Sequence, residues 1–225
     1  MSTWVPAAVA ALLTGLVVTL LTRPVLARLP EPSDAEDKPA YAELGTVAFV
    51  GTCALVSMAA QLLAWTMLPT HVQPLWTVLA LCAVLLAAID ARTTWLPLRL
   101  TRAGWLLMLV GVGLSLLFGA TLGDAARALA GAAVAGTVYL LLWMLTRGGF
   151  GFGDVRYAPL LGAATAGVSW SLLMWGLALG SLVGAVHGMF RLVGRRAGAF
   201  PYAPSMLLGS YLSVALLYLV PTGAG

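Results

Sequence analysis

The chain has 225 residues, of which 61% are hydrophobic and only 9% are charged, with a formal net charge of +4. Soluble domains carry roughly 25% charged residues, so this composition excludes a water-soluble fold with a charge-covered surface. The two cysteines, Cys53 and Cys82, each lie inside an apolar run and are interpreted as packing residues. A zinc cluster, which needs about four ligands at short spacing, is also excluded.

The apolar segments predict an all-α fold, a polytopic bundle of about eight transmembrane helices. A span needs roughly 20 apolar residues, and the candidate segments are 4–22, 44–68, 73–90, 103–120, 125–146, 155–167, 168–192 and 205–220. The sixth segment is short, and with the seventh it could form a re-entrant pair or a bent span. We interpret 1–225 as a single membrane-embedded domain, with 23–43 as a polar cytoplasmic loop.

The basic residues predict the orientation of the bundle. If the N-terminus lies outside, eleven of the twelve lysines and arginines fall in cytoplasmic loops, and only Arg127 falls on the other side. This bias follows the positive-inside rule, so the net charge needs no nucleic-acid partner. Arg23 follows the first apolar run instead of preceding it, which favours a retained span over a secretory signal.

Six of the eight acidic residues have a simple structural interpretation. Five belong to the polar loop and are expected to be solvated there: Glu31, Asp34, Glu36, Asp37 and Glu43. Asp124 precedes a helix expected to start at Ala125, where it would accept hydrogen bonds from free backbone amides and pair with Arg127. Asp90 and Asp154 therefore remain as candidates for chemistry.

Asp90 and Asp154 both occur where an apolar helix meets the membrane edge. Asp90 ends the run VLALCAVLLAAID, and an acid inside a span is a functional hypothesis by default. Its alternative role is an interfacial anchor paired with Arg92 or Arg99. Asp154 opens an apolar helix and could be a simple N-cap. It follows a loop that can dip into the membrane edge, because four residues permit close backbone approach: Gly148, Gly149, Gly151 and Gly153.

The predicted topology places both acids at one membrane face, because each terminates or follows a helix that runs inward. Two carboxylates in a partly dry site share a proton, so that one acts as general base and the other as general acid. No serine–histidine or cysteine–histidine pair competes, since His71 falls in the outer loop and His187 lies among small residues.

Three segments carry a resemblance to a known family. GFGDVRYAPLLGA resembles the GxGD motif of type IV prepilin peptidases, and AAIDARTTWLPLRLT is similar to that family's other aspartate motif. FPYAPSMLLG resembles the family's Pro-Phe-Gly-Pro-like stretch before the last helix. The resemblance covers roughly residues 45–220, and it is to a short form without the cysteine-rich insert of longer relatives. In a departure from the family pattern, Pro97 is followed by Leu98 instead of an acid.

The resemblance implies that Asp90 and Asp154 are the catalytic aspartates of a membrane endopeptidase. Its implied partners are the lipid bilayer and prepilin-like single-helix precursors, whose short basic leader it would remove at the cytoplasmic face of a bacterial inner membrane. Substrate or loop positioning would fall to Gly151, Gly153, Arg156, Pro97 and Thr101. No metal or cofactor is implied. N-methylation is not expected, because the first loop lacks the insert of relatives that methylate.

Two alternatives remain open at the level of sequence. A GxGD protease of the presenilin-like group would carry Tyr-Asp and Pro-Ala-Leu motifs, whereas Ile89 precedes Asp90 here and no Pro-Ala-Leu occurs. A non-enzymatic transporter or scaffold would place its acids at different depths and show an inverted repeat. The sequence shows neither feature.

Overall fold

The computed structural model describes residues 4–31, 38–147, 151–194 and 200–219. Within these residues the chain is all-α, has no strand and forms eight long helices, as predicted. Their bounds are α1 Trp4–Leu26, α2 Val47–Met67, α3 Thr70–Thr93, α4 Leu98–Leu117, α5 Leu122–Leu145, α6 Phe152–Val168, α7 Trp170–Val193 and α8 Ala203–Leu219.

Six helices, α1 to α5 and α7, are long and apolar enough to cross a membrane. The chain is therefore a multi-pass membrane protein. The sixth helix is short, as predicted: α6 has 17 residues, so at 1.5 Å per residue it is about 25 Å long, less than the roughly 30 Å of a hydrocarbon core. Only Ser169 separates α6 from α7, and its side chain caps α7 by accepting a hydrogen bond from the Leu172 amide at 3.1 Å.

Helices α3 and α6 form the interior of the bundle. In α3, 78% of the most apolar window is buried inside the protein, whereas the other five long helices range from 22% to 44%. In α6, twelve of seventeen residues are buried, and the helix packs against α4, α5, α7 and α8. Polar side chains on these two helices are consequently enclosed by protein instead of lipid, which lowers the free-energy cost of placing them within the membrane.

Small residues set how closely the helices approach. A Cβ atom at Gly131 of α5 would lie 2.6 Å from the carbonyl oxygen of Gly162 in α6 and would overlap Ala166. The same close approach joins α7 to α8, where a Cβ at Gly209 would overlap the backbone of Gly180. In lipid, where apolar side chains gain little by leaving the solvent, such backbone-to-backbone packing is the main source of helix association.

The first loop is shifted along the chain relative to the prediction, because α1 continues to Leu26, and so includes Arg23, while α2 begins at Val47 instead of residue 44. The second half of the loop is also packed on the bundle. A short 3₁₀ helix, Tyr41–Leu44, buries Tyr41 to 2% exposure. The side chain of Arg23 donates a hydrogen bond to the carbonyl of Gly45 at 2.9 Å, which ties the end of the loop to α1.

Glu31 and Glu43 are exposed, as predicted for solvated loop acids, but Glu31 also makes a specific contact. Its carboxylate accepts a hydrogen bond from the Tyr41 amide at 2.9 Å, so it links the two sides of the loop. Burial of the phenol, reinforced by the negative charge of Glu31, raises the pKa of Tyr41 to about 12. Three other loop acids, Asp34, Glu36 and Asp37, lie outside the described residues.

The structural role predicted for Asp124 is confirmed, although α5 begins at Leu122 instead of Ala125. Thr121 is the N-cap, and its amide donates to the Asp124 carboxylate at 2.8 Å in a capping box. Asp124 also pairs with Arg127 at 2.7 Å. The Arg127 guanidinium reaches across to α6, where it donates to the carbonyl of Ala166 at 2.7 Å and caps that helix end.

Candidate active site

Asp90 and Asp154 line the same cavity, which has a volume of about 870 Å³. Asp90 lies in the last turn of α3 and Asp154 in the first turn of α6. They are 4% and 6% exposed, and they are the only buried acids among the described residues. The cavity walls come from the end of α3 and the loop after it, from α5, α6 and α7, and from the segment before α8. The residues that line it besides the two acids are Thr94, Trp95, Leu96, Leu142, Gly151, Phe152, Gly153, Arg156, Ser181, Gly184, Ala185, Gly188, Phe200 and Tyr202.

Asp90 is held by the backbone of the segment before α8. The Ala203 amide donates to the Asp90 carboxylate at 3.1 Å, and the neighbouring Tyr202 amide favours its charged form electrostatically. Asp90 forms no ion pair with Arg92 or Arg99 in the described part of the chain. The interfacial-anchor alternative therefore finds no partner in this structure.

A close contact fixes this donor segment. The ring of Tyr202 lies directly over Gly184 of α7, where any Cβ atom would overlap the ring. The hydroxyl of Tyr202 hydrogen-bonds the Ser181 hydroxyl at 3.4 Å, one turn earlier on α7. Phe200 stacks edge-to-face on His187, with ring centroids 4.7 Å apart, so this histidine is a packing residue as predicted.

Asp154 is brought to the cavity by the glycine segment that precedes it. Its amide donates to the carbonyl of Gly151 at 3.0 Å, which closes the first turn of α6. A Cβ atom at Gly153 would lie 3.0 Å from Cβ of Leu96, so glycine allows the start of α6 to approach the loop after α3. Gly148 and Gly149, which were expected to share this role, lie outside the described residues.

The environments of the two carboxylates differ. Among the residues that the structure describes, none donates a hydrogen bond to the Asp154 carboxylate, whereas Asp90 accepts one from the Ala203 amide. The two acids are close enough for the charge of Asp90 to act on Asp154. A pair of this kind can hold one proton between two sites of unequal character.

Tyr157 links the two helices that carry the acids. It lies three residues after Asp154, is 0% exposed, and donates a hydrogen bond to the carbonyl of Ala83 in α3 at 3.0 Å. Ala83 ends a π-helical segment, Leu79–Ala83, and such segments leave helix carbonyls without their usual partners. Sequence analysis missed Tyr157, although a phenol one turn after an acid in an otherwise small, apolar helix is a usable signal.

Replacing Tyr157 by Phe should lower the free energy of unfolding by about 1–2 kcal/mol, because the buried Ala83 carbonyl loses its donor while the ring still fits. The measurement is thermal unfolding of the purified protein in detergent. Tyr211→Phe is the matched control: this phenol is likewise buried against the core, but its hydroxyl has no hydrogen-bond partner in the described structure. Equal losses of stability from both changes would show that the hydrogen bond from Tyr157 to Ala83 makes no specific contribution to stability.

The positioning residues predicted from sequence divide into two groups. Gly151, Gly153 and Arg156 line the cavity. The guanidinium of Arg156 lies 4.6 Å from the centroid of the Phe152 ring. Pro97 and Thr101 do not line the cavity: the Thr101 hydroxyl donates to the carbonyl of Pro97 at 3.0 Å, inside the first turn of α4.

Beyond Tyr157, sequence analysis also missed an aromatic and hydroxyl cluster behind the cavity. Tyr139 of α5 is buried, and its phenol lies beside the side chains of Tyr202 and Ser181. The rings of Tyr139 and Tyr202 are 6.0 Å apart. The cluster ties α5, α7 and the donor segment of Asp90 together beside Asp154, so it supports both halves of the site.

No metal site accompanies the two acids within the described ranges, where no group of three or more histidine, cysteine or acidic residues is placed to hold an ion. Cys53 and Cys82 are free and buried, which confirms their interpretation as packing residues. The expectation that the site needs no metal or cofactor stays a prediction.

Comparison with known proteins gives one match. A model of the Type IV leader peptidase family matches residues 77–189, which is half of the chain and includes Asp90, Asp154 and Arg156. Searches of curated proteins and of solved structures find no match to this chain.

Proposed function

The chain belongs to the type IV leader peptidase family, and on that premise we propose that it is a membrane aspartic endopeptidase. It removes the short basic leader of prepilin-like precursors, type IV pilins or pseudopilins, at the cytoplasmic membrane face. Asp90 and Asp154 activate the water that cleaves the peptide bond. Its substrates are single-helix membrane proteins, which approach through the bilayer.

The observation that carries this proposal is the placement of two buried acids from two inner helices on one cavity. A buried carboxylate is costly unless it is paired or functional. Asp90 has no cationic side chain in direct contact among the described residues, and Asp154 accepts no hydrogen bond from them. A purely structural role would leave the burial of Asp154 without compensation, whereas water activation uses both groups.

The chemistry requires no group beyond the two carboxyls and water. One carboxylate removes a proton from water while the oxygen attacks the scissile carbonyl carbon, and the other carboxylic acid gives its proton to the carbonyl oxygen. When the tetrahedral intermediate collapses, the carbon–nitrogen bond breaks and the amine leaves with the proton first taken from water. The second carboxyl regains its proton from the intermediate's hydroxyl, so the pair returns to its starting state.

The membrane orientation is part of the proposal. The cavity lies at the end of the bundle that carries the first loop and the ends of α3, α5 and α7. Nine of the ten basic residues that the structure describes belong to segments at this end, Arg127 being the exception, which supports a cytoplasmic position. A leader that remains in the cytoplasm would therefore reach the acids as its apolar helix enters the bilayer.

A cleavage assay with the purified full-length protein in liposomes tests the proposal. The substrate is a purified prepilin-like precursor with a short basic leader before one apolar helix, and the cut is located by mass spectrometry. We expect one cleavage just before the apolar helix. A signal-peptide remnant is assayed in parallel, and preferential cleavage of that remnant, or no cleavage of either substrate, would contradict the proposal.

A further inference from the structure

Lys38 of the first loop lies at the mouth of the cavity. Lys38 donates a hydrogen bond from its ammonium group to the Thr94 hydroxyl at 2.6 Å. The ammonium also lies 5.0 Å from the centroid of the Trp95 ring, within the range of a cation–π contact. Thr94 and Trp95 both line the cavity beside Asp90. Lys38 therefore attaches the loop to the rim of the site.

The residue that Lys38 binds has an unusual backbone. Thr94 ends α3 in the left-handed region, with φ 56° and ψ 24°, and its amide donates to the carbonyl of Asp90 at 2.7 Å. A β-branched residue is strained in this region, and glycine or asparagine would end the helix with less strain. Threonine instead has a hydroxyl group, which accepts the hydrogen bond from the Lys38 ammonium.

The surroundings of the two acids favour Asp90 over Asp154 as the ionised member of the pair. The Ala203 amide donates to its carboxylate, and Lys38 interacts with it electrostatically without forming a direct ion pair. Burial lowers the pKa of Lys38, and the Asp90 carboxylate opposes that shift. Hydrogen-bond donors and a nearby positive charge stabilise a carboxylate over a carboxylic acid. Asp154 has neither from the described residues.

We propose that Lys38 is a positioning residue that fixes the roles of the two acids. Its ammonium clamps the first loop to Thr94 and places a positive charge beside Asp90, so that Asp90 is the base that takes the proton from water. Asp154 then carries the shared proton and gives it to the carbonyl oxygen. This assignment rests on the proposed peptidase function.

Steady-state cleavage kinetics of charge variants test the assignment. Lys38→Met should lower kcat about tenfold, with KM within about twofold, because the missing charge affects the proton-transfer step more than substrate binding. Lys38→Arg keeps the charge and the contact with the Trp95 ring, and it should stay within about threefold of the wild-type kcat. Arg28→Met is the matched control, since Arg28 lies in the same loop with an exposed side chain and should leave kcat unchanged.

A double-mutant cycle separates the clamp from a general loss of structure. Thr94→Val keeps the β-branched shape but removes the hydroxyl, and it should lower kcat in the same direction as Lys38→Met. The double variant should be no slower than Lys38→Met alone, because both changes break one interaction. Additive losses, or wild-type kcat in Lys38→Met, would overturn the role of Lys38. If the wild-type protein cleaves and Asp154→Asn does not, the peptidase function survives that result; if the wild type does not cleave, both proposals fail.

Discussion

Asp90→Asn and Asp154→Asn should each lower kcat for precursor cleavage by about 10²- to 10⁴-fold or more, which is the size of effect expected when a general acid or base is removed. Asparagine has the shape of aspartate but neither takes nor gives the proton. At position 90 the amide oxygen can still accept the hydrogen bond from the Ala203 amide, so the donor segment should stay in place. Purified variants are compared with the wild type in the liposome assay.

Asp124→Asn provides the matched control for these two changes. Asp124 is also a helix-terminal aspartate, but it lies at the opposite end of α5 from the cavity and serves the capping box with Thr121. Its replacement should cost about 0.5–1 kcal/mol of stability through the weakened cap and ion pair, with cleavage unchanged. Full activity of either dyad variant, with normal thermal unfolding, would contradict the proposed chemistry.

Gly162→Leu should be strongly destabilising, lowering the free energy of unfolding by at least about 3 kcal/mol. A Cβ atom at Gly162 would overlap the carbonyl oxygen of Gly131 and lie 2.5 Å from Cβ of Ala135. Neither contact can be relieved by rotating a flexible side chain. Helices α5 and α6 would have to separate, and α6 carries Asp154, so cleavage should be lost together with stability.

The measurement is thermal unfolding of the purified variant in detergent, combined with the cleavage assay. Gly51→Leu is the matched control: Gly51 lies in the second turn of the apolar helix α2, but no atom of a neighbouring element lies within 4 Å of a Cβ built there. Its replacement should leave both stability and cleavage close to the wild type. Similar behaviour of the two leucine variants would show that close approach of α5 and α6 is not required.

The sequence alone determined the fold class, the helix count and the identity of the two acids. These conclusions depend on composition and chain order: the length of each apolar run predicts a span, and an acid in such a run is rare enough to stand out. The Gly-Phe-Gly-Asp segment before α6 also identified Asp154 before any geometry was known. Boundaries were less certain, and both α1 and α5 differ from prediction by several residues at one end.

Only the tertiary structure decided which residues surround the two acids. The helices are apolar on all sides, so no periodic polar face indicates which side of α3 or α6 turns inward. That choice depends on contacts between distant segments, as in the Tyr157 bond to Ala83 and the Ala203 amide on Asp90. The contact between Lys38 and Thr94 likewise joins a polar loop to a helix end far along the chain. Hydrogen bonds between distant segments leave no local pattern in the sequence, because the residues beside each partner do not indicate which segment it will contact after folding.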